Sequence, residues 1–188
     1  MPAQDRPLRA DAARNRARLL EAAEQVFAEH GTGTPVEEVA RAAGVGVGTA
    51  FRHFPTKESL LSAVYLARLE RLGDRAERLA EANDPVAALR TFFAETVEQA
   101  ASKNALAEAL SAAGVDPRAA ASATGARLRE ALGGLLRRAQ QAGVRPELTV
   151  TDLMSLLIGA SRAVEPLAAD PHARARVIRV MLDGLTGH

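Results

Sequence analysis

Hydrophobic side chains recur every three or four residues along most of the chain, which is the spacing of one face of a helix. The first such segment covers about residues 11–30. Its apolar members are Leu19, Leu20, Ala23, Val26 and Phe27. No segment alternates apolar and polar residues as a half-buried strand does. The pattern therefore predicts an all-α fold.

Two short helices joined by a glycine turn are predicted next. Thr34 is expected to be the N-cap of the first one, with Pro35 as its first residue and Glu37 completing a capping box. Gly44 is expected to end this helix. Its apolar stripe consists of Val36, Val39, Ala40 and Ala43.

The second short helix, residues 47–54, divides into two faces. The apolar residues expected to pack inward are Val47, Ala50, Phe51 and Phe54. The residues of the opposite face are Gly48, Thr49, Arg52 and His53. This face has a small residue at its start, followed by side chains that can form hydrogen bonds. It therefore suits contact with base edges and phosphates in a DNA major groove. The alternative is the solvated face of a small helical hairpin.

A fourth helix is predicted from Lys57 to about Ala82, and Lys57 in its first turn is placed to bind an anion. Three Asp-Pro pairs follow, and each fits an N-cap with proline at the first helical position. The later helices are expected at about residues 85–102, 104–114, 117–142 with a break near Gly125, 149–165 and 171–185.

The last two of these helices are apolar nearly all round, so they are expected to be buried on several sides. A second copy in a two-fold dimer is the commonest cover for such a pair. Deep core of a monomer is the alternative. The residues predicted to form the dimer contact are Leu153, Leu157, Ile158, Val177, Met181 and Leu185.

Charge is distributed unevenly although the net charge is only +1. Arginines crowd residues 6–18, and between Val39 and Lys57 the charged residues are Arg41, Arg52 and Lys57, with no acid. Local positive charge of this kind favours a polyanionic partner. The first ten residues, with Pro2 and Pro7, are expected to be a mobile arm.

Other classes of protein find little support. The chain of 188 residues has no cysteine, which excludes disulfides and thiolate metal sites. No apolar run has membrane-spanning length and no signal core is present, so a cytoplasmic, nucleoid-associated location without a membrane partner is expected. The four histidines form no metal motif, and no nucleotide loop or nucleophile elbow occurs. We therefore expect no catalytic residue, metal or cofactor.

The stretch RLLEAAEQVFAEHGTGTPVEEVARAAGVGVGTAFRHFPTKESLLSAV closely resembles the tetracycline-repressor (TetR) family of bacterial transcription regulators. The resemblance implies a helix-turn-helix domain at residues 11–56 after an arm at 1–10, and a ligand-binding and dimerisation domain at 57–188. Together with the two-faced helix, it gives these candidate DNA-binding residues: Thr34, Val47, Gly48, Thr49, Phe51, Arg52, His53 and Lys57. The chain departs from the family where Gly46 replaces a frequent serine, Phe51 a tyrosine and Pro35 a threonine.

The resulting hypothesis is a homodimeric repressor that binds a palindromic double-stranded operator and is released by a small hydrophobic effector. The candidate effector-binding residues are Phe92, Phe93, Thr96, Leu106, Leu110 and Met154. Arg90 or Arg162, if directed inward, would indicate an anionic effector instead. The alternatives are a DNA-binding regulator without an effector, and an all-α ligand carrier or enzyme that binds no DNA.

Overall fold

The computed structural model describes the backbone of residues 5–186 and the side chains of residues 10–100 and 104–185. Within these ranges the protein is all-α, as predicted. The helices are α1 (Asp5–His30), α2 (Val36–Ala42), α3 (Val47–His53), α4 (Lys57–Ala80), α5 (Pro85–Glu98), α6 (Ala100–Ala112), α7 (Pro117–Ala120), α8 (Ser122–Gln141), α9 (Val150–Val164), the 3-10 turn Glu165–Leu167, and α10 (Pro171–Thr186).

The three predicted Asp-Pro starts are confirmed. Asp84 accepts a hydrogen bond from the backbone N–H of Ala87 at 2.9 Å, and α5 begins at Pro85. The carboxylates of Asp116 and Asp170 likewise accept backbone N–H groups just after them, at the starts of α7 and α10. Each aspartate satisfies a backbone donor that has no partner within its helix.

The first helix begins earlier than predicted. α1 starts at Asp5 rather than near Asp11, so the predicted mobile arm is helical from Asp5 onward, and residues 1–4 lie outside the described range. Pro7 is compatible with this start because it falls in the first turn, where backbone N–H groups have no intrahelical partner. The end at His30 is confirmed, and Gly31 follows in the left-handed region with φ +84°.

The predicted capping box of the second helix is wrong. Pro35 is the N-cap of α2, and no side chain caps it. The hydroxyl of Thr34 instead points back and donates to the carbonyl oxygen of Gly31 at 2.9 Å. Thr34 is therefore a buried member of the turn between α1 and α2, and Glu37 contributes only its charge near the start of α2.

Two helix breaks also differ from the prediction. α5 ends at Glu98, before the predicted end at Ser102. Its last carbonyls accept from arginines: Arg174 donates to Glu98 O at 3.2 Å and Arg68 to Gln99 O at 2.8 Å. The break expected near Gly125 lies at Ala121 instead, between α7 and α8.

The described residues divide into two compact units. One is drawn from Met1–Ala67 and Asn104–Ala120, and the other from Arg68–Lys103 and Ala121–His188. α4 and α6 each contribute to both units. The division by role into residues 11–56 and 57–188 stays a prediction.

One hydrophobic core holds the N-terminal unit together. It contains the predicted apolar residues of α1 and α2, with Leu60, Leu61 and Val64 from α4. α6 adds Leu106 and Leu110, which are almost fully buried in the same cluster. Burial of side chains of this size stabilises a fold by about 1.5–3 kcal/mol each before entropy is counted.

The C-terminal unit is organised around α5, which packs against α8, α9 and α10. Its largest buried side chains are Phe92, Phe93, Leu89, Leu132, Leu135 and Leu153. α4 approaches α8 closely at Gly73, where an added Cβ would lie 3.9 Å from the Cα of Leu128. Among residues 5–186, no helix combines the length and apolarity needed to cross a membrane.

Candidate functional site

The short helix α3 is anchored by fewer apolar residues than its pattern suggests. Ala50 and Phe54 are buried, as predicted. Val47 and Phe51, predicted to pack inward with them, are 43% and 37% exposed. A helix of seven residues has only two turns, and Val45 in the preceding turn is buried in the same core as Ala50. The outer surface of α3 is therefore more apolar than expected.

The polar residues of α3 lie on the accessible side as predicted. Gly48 and Arg52 are exposed, and Thr49 and His53 are half-buried. A Cβ added at Gly48 would meet no atom within 4 Å, so a partner could approach the backbone closely there. Arg52 is exposed, and its guanidinium group is of the kind that makes bidentate contacts with a base or phosphate.

Lys57, at the start of α4, ties two parts of the N-terminal unit together. Its ammonium group donates to the carbonyl oxygen of Gly33 at 2.5 Å. This bond fixes the head group beside the turn between α1 and α2, and an ammonium group has two further N–H donors. Hydrogen bonds from its own backbone N–H and from Thr56 lower the pKa of the neighbouring Glu58.

Two arginines of α1 lie against the helix-turn-helix, and neither is among the predicted DNA-binding residues. The guanidinium carbon of Arg16 is 5.4 Å from the centre of the Phe54 ring, within the range of a cation–π contact. Arg18 donates to the carbonyl oxygen of Gly44 at 3.4 Å. The available signal was the excess of arginine in α1, but periodicity alone does not say which of them face α3.

The residues predicted to bind an effector belong to two different units. Phe92, Phe93 and Thr96 lie together on the buried side of α5. Met154 is half-buried on α9. Leu106 and Leu110 belong to the core of the N-terminal unit, where they pack with helices α1 and α4. We therefore assign these two leucines to that core.

Thr96 carries an unusual feature within this group. It is 7% exposed, and its hydroxyl oxygen is buried without a hydrogen-bond partner. A buried helical hydroxyl usually donates to the carbonyl four residues earlier. Ser161 of α9 does so, with its hydroxyl 2.6 Å from Leu157 O. The Thr96 hydroxyl therefore remains available to another polar group.

The arginines that would have indicated an anionic effector are engaged by carboxylates. Arg90 pairs with Asp183 at 3.0 Å and Arg162 with Glu165 at 3.1 Å. Arg75 forms a two-pronged pair with Glu95, at 2.8 and 2.7 Å, and these hydrogen bonds lower the pKa of Glu95. Within the described ranges, no group of three or more histidine, aspartate or glutamate residues has a geometry suited to a metal ion.

The predicted dimer residues separate into two sets. Leu153, Leu157 and Leu185 are buried in the core of the single chain, where they leave no free surface for a second copy. Val177 and Met181 are half-buried, and Ile158 is 51% exposed. Two apolar residues outside the predicted set, Leu156 and Val180, are 41% and 71% exposed. The apolar surface of α9 and α10 is thus formed by these last five residues.

Comparison with known proteins gives matches along both units. Residues 19–64 match the family model described as bacterial regulatory proteins, tetR family. Residues 84–187 match the model for the C-terminal domain of transcriptional regulators similar to SbtR.

Several relatives are similar to this chain. A TetR transcription regulatory protein from Mycobacterium vanbaalenii is 44% identical, with a TM-score of 0.78, and the match covers 96% of this chain and 99% of that one. TetR regulator SCO0520 from Streptomyces coelicolor is 34% identical over 91% of this chain and 98% of its own, with a TM-score of 0.71. HTH-type transcriptional repressor Rv3405c from Mycobacterium tuberculosis is 39% identical over 70 residues, which are 37% of this chain and only 35% of that repressor.

The first of these family models matches the helix-turn-helix, and the second matches the C-terminal helices that follow it in the chain. The full-length relatives are transcription regulators, which confirms the prediction of a regulator rather than an enzyme. The chain belongs to the TetR family of bacterial transcriptional regulators.

Proposed function

We propose that the protein is a homodimeric transcriptional repressor that binds a palindromic operator and is released from it by a small, largely apolar effector. The observation that carries this proposal is the accessible face of α3, on which Gly48 and Arg52 are exposed within a stretch that has basic residues and no acid between Val39 and Lys57.

In this proposal α3 lies in the major groove and the cations around it contact the phosphates. Arg52 and Thr49 reach base edges or phosphates beside them. Lys57 is held by Gly33 O at the end of the helix-turn-helix, where it is suited to a phosphate of the flanking backbone. Arg16 and Arg18 add positive charge on the α1 side. Phosphate contacts fix the register, and the few residues on α3 select the sequence.

Arg52→Ala is expected to weaken binding to an operator obtained by in vitro selection by about 1–3 kcal/mol, because a bidentate contact is lost. Fluorescence anisotropy at several salt concentrations measures the change. Arg129→Ala, which removes an exposed arginine from α8, serves as the matched control and should leave affinity unchanged. Equal affinities of the two variants would rule out Arg52 as a DNA contact.

The dimer would form through the apolar surface of α9 and α10. On α10, Val177, Val180 and Met181 occur at i, i+3 and i+4, so they share one side of the helix. Leu156 and Ile158 add exposed apolar surface on α9. Exposed or half-buried apolar side chains that share one side of a helix, as the three on α10 do, are typical of interfaces between subunits. A two-fold contact here would give a dimer that presents two recognition helices, one from each chain, to a palindrome.

Val180→Glu is expected to convert the dimer to monomers, because a charge would be buried in the apolar contact without a partner. Sedimentation velocity gives the oligomeric state directly. Arg179→Glu places the same residue at an exposed position on another side of α10, and this control should remain dimeric. A dimer that survives Val180→Glu would place the interface elsewhere. Leu157→Glu is unsuitable for this test, since Leu157 is buried within its own chain.

The effector would bind in the C-terminal unit beside α5. The side chains of Phe92 and Phe93 supply an apolar environment, and the hydroxyl of Thr96 supplies one unsatisfied polar group. A mainly apolar molecule with one hydrogen-bonding group matches this combination. Arg90 and Arg162 are paired with carboxylates, so they give no support to an anionic effector.

Effector binding would reach the DNA through α4. This continuous helix begins at Lys57 and continues to Ala80, and its later turns pack on α8 in the C-terminal unit. A ligand that favours one position of α4 changes where Lys57 stands. A coupling free energy of about 1–3 kcal/mol is sufficient to weaken DNA binding roughly 5- to 150-fold.

Thr96→Val is expected to stabilise the effector-free protein by about 1 kcal/mol, since it replaces a buried, unpartnered hydroxyl by a methyl group of similar size. Chemical denaturation measures the free energy of unfolding. Thr91→Val, on the exposed side of α5, is the control and should change it by less than about 0.5 kcal/mol. Destabilisation by Thr96→Val would mean that the hydroxyl already has a partner in the free protein, and would remove it as an effector contact.

A further inference from the structure

Two exposed apolar side chains on α3 have no function in the contacts described so far. Among the described side chains, the exposed large hydrophobic residues are Val47, Phe51, Leu156, Ile158 and Val180. The last three belong to the apolar surface of α9 and α10. Val47 and Phe51 are four residues apart on α3, so their side chains are neighbours on one side of the helix.

The core of the N-terminal unit does not cover the exposed part of these two side chains. α3 is anchored in the core through Ala50 and Phe54, which are fully buried or nearly so. Val47 and Phe51 leave 43% and 37% of their surface in water. Their apolar surface would gain free energy only if a partner covered it.

The charges around this pair indicate what kind of partner covers it. Between Val39 and Lys57 the charged residues are Arg41, Arg52 and Lys57, and none is an acid. An apolar pair flanked by cations alone suits a polyanion that also presents apolar groups. The major groove of DNA has both features, because phosphates line its edges and the 5-methyl group of thymine projects from its floor.

The first two residues of α3 lack side chains that read hydrogen-bonding edges. Val47 and Gly48 have no side-chain donor or acceptor, so Thr49 is the first residue of α3 whose side chain can form a hydrogen bond. A recognition helix meets base edges mainly with its N-terminal residues. At these positions, shape and apolar contact are the means of discrimination that remain.

We propose that Val47 and Phe51 recognise thymine methyl groups in each operator half-site. This inference rests on the proposed insertion of α3 into the major groove and names what it reads there. Arg52 would contact a guanine or phosphate nearby, while Val47 and Phe51 distinguish thymine from cytosine and uracil through the methyl group alone.

The test replaces single thymines of a selected operator by deoxyuridine, which removes the methyl group and keeps every hydrogen-bonding group. At one or two positions per half-site, the dissociation constant is expected to rise about fourfold, the factor that corresponds to about 0.8 kcal/mol for one buried methyl group. Deoxyuridine outside the half-sites is the control and should have no effect.

Variants of the protein then assign the effect to a side chain. Val47→Ala should weaken binding to the thymine duplex and abolish the penalty at one deoxyuridine position, and Phe51→Ala should do so at another. Arg52→Ala should weaken binding to both duplexes by the same factor and leave the penalty intact. Both positions are partly exposed, and thermal denaturation of each alanine variant checks that the fold is kept.

Two outcomes would overturn the inference while leaving the proposed function standing. One is a selected operator that binds equally well with deoxyuridine at every thymine of the half-sites. The other is a deoxyuridine penalty that persists unchanged in both Val47→Ala and Phe51→Ala. If selection yields no preferred sequence at all, the proposed function and this inference fail together.

Discussion

The accessible surface of α3 depends on how little of this helix is held by the core. Only Ala50 and Phe54 of its residues and C-cap are buried, and they pack into a cluster built by α1, α2, α4 and α6. The buried Val45 and the left-handed Gly44, with φ +61°, set the direction in which α3 leaves the turn. Two buried anchors and a fixed turn hold the helix while its other residues remain accessible. Two residues of α1 support this arrangement. Arg16 lies over the ring of the buried anchor Phe54, and Arg18 donates to the carbonyl oxygen of Gly44 in the turn.

The two compact units use their polar and apolar groups differently. In the N-terminal unit, Lys57 and Thr34 are tied to backbone carbonyls of the turn after α1, which fixes cations and turn geometry where a binding surface needs rigidity. In the C-terminal unit, the buried hydroxyl of Thr96 has no hydrogen bond and the apolar side chains of α9 and α10 reach the surface. A buried hydroxyl without a hydrogen bond and an apolar side chain in water each cost free energy. A partner that binds at these groups removes that cost.

Much of the fold follows from local chemistry and could be predicted from the sequence. The Asp-Pro pairs mark helix starts because both residues act within a single turn, and Gly31 and Gly44 end helices because their conformation is left-handed. Thr34 was misjudged because a threonine before proline fits both a cap and a turn. Only the position of the Gly31 carbonyl decides between them.

The positions that could not be predicted are those at which a helix face meets another part of the chain. Periodicity identifies an apolar side but not what covers it. Val47 and Phe51 were therefore expected in the core, but both are partly exposed. Leu153, Leu157 and Leu185 were expected at a dimer contact, but they are buried within the single chain. Leu106 and Leu110 share a core with the first helices. This could not be inferred from the sequence, because many residues separate them from those helices. The family resemblance lies in the stretch that the tetR family model also matches, residues 19–64, but the structure was needed to show which apolar residues of α3 reach the surface.

Selection of bound duplexes from random-sequence DNA by the purified protein tests whether paired copies of α3 read a symmetric DNA site. Pairing of α3 across a two-fold axis predicts enrichment of an inverted repeat whose half-site centres lie about one helical turn, roughly 10 base pairs, or a multiple of it apart. Recovery of no enriched sequence, or of a single site without two-fold symmetry, would contradict it.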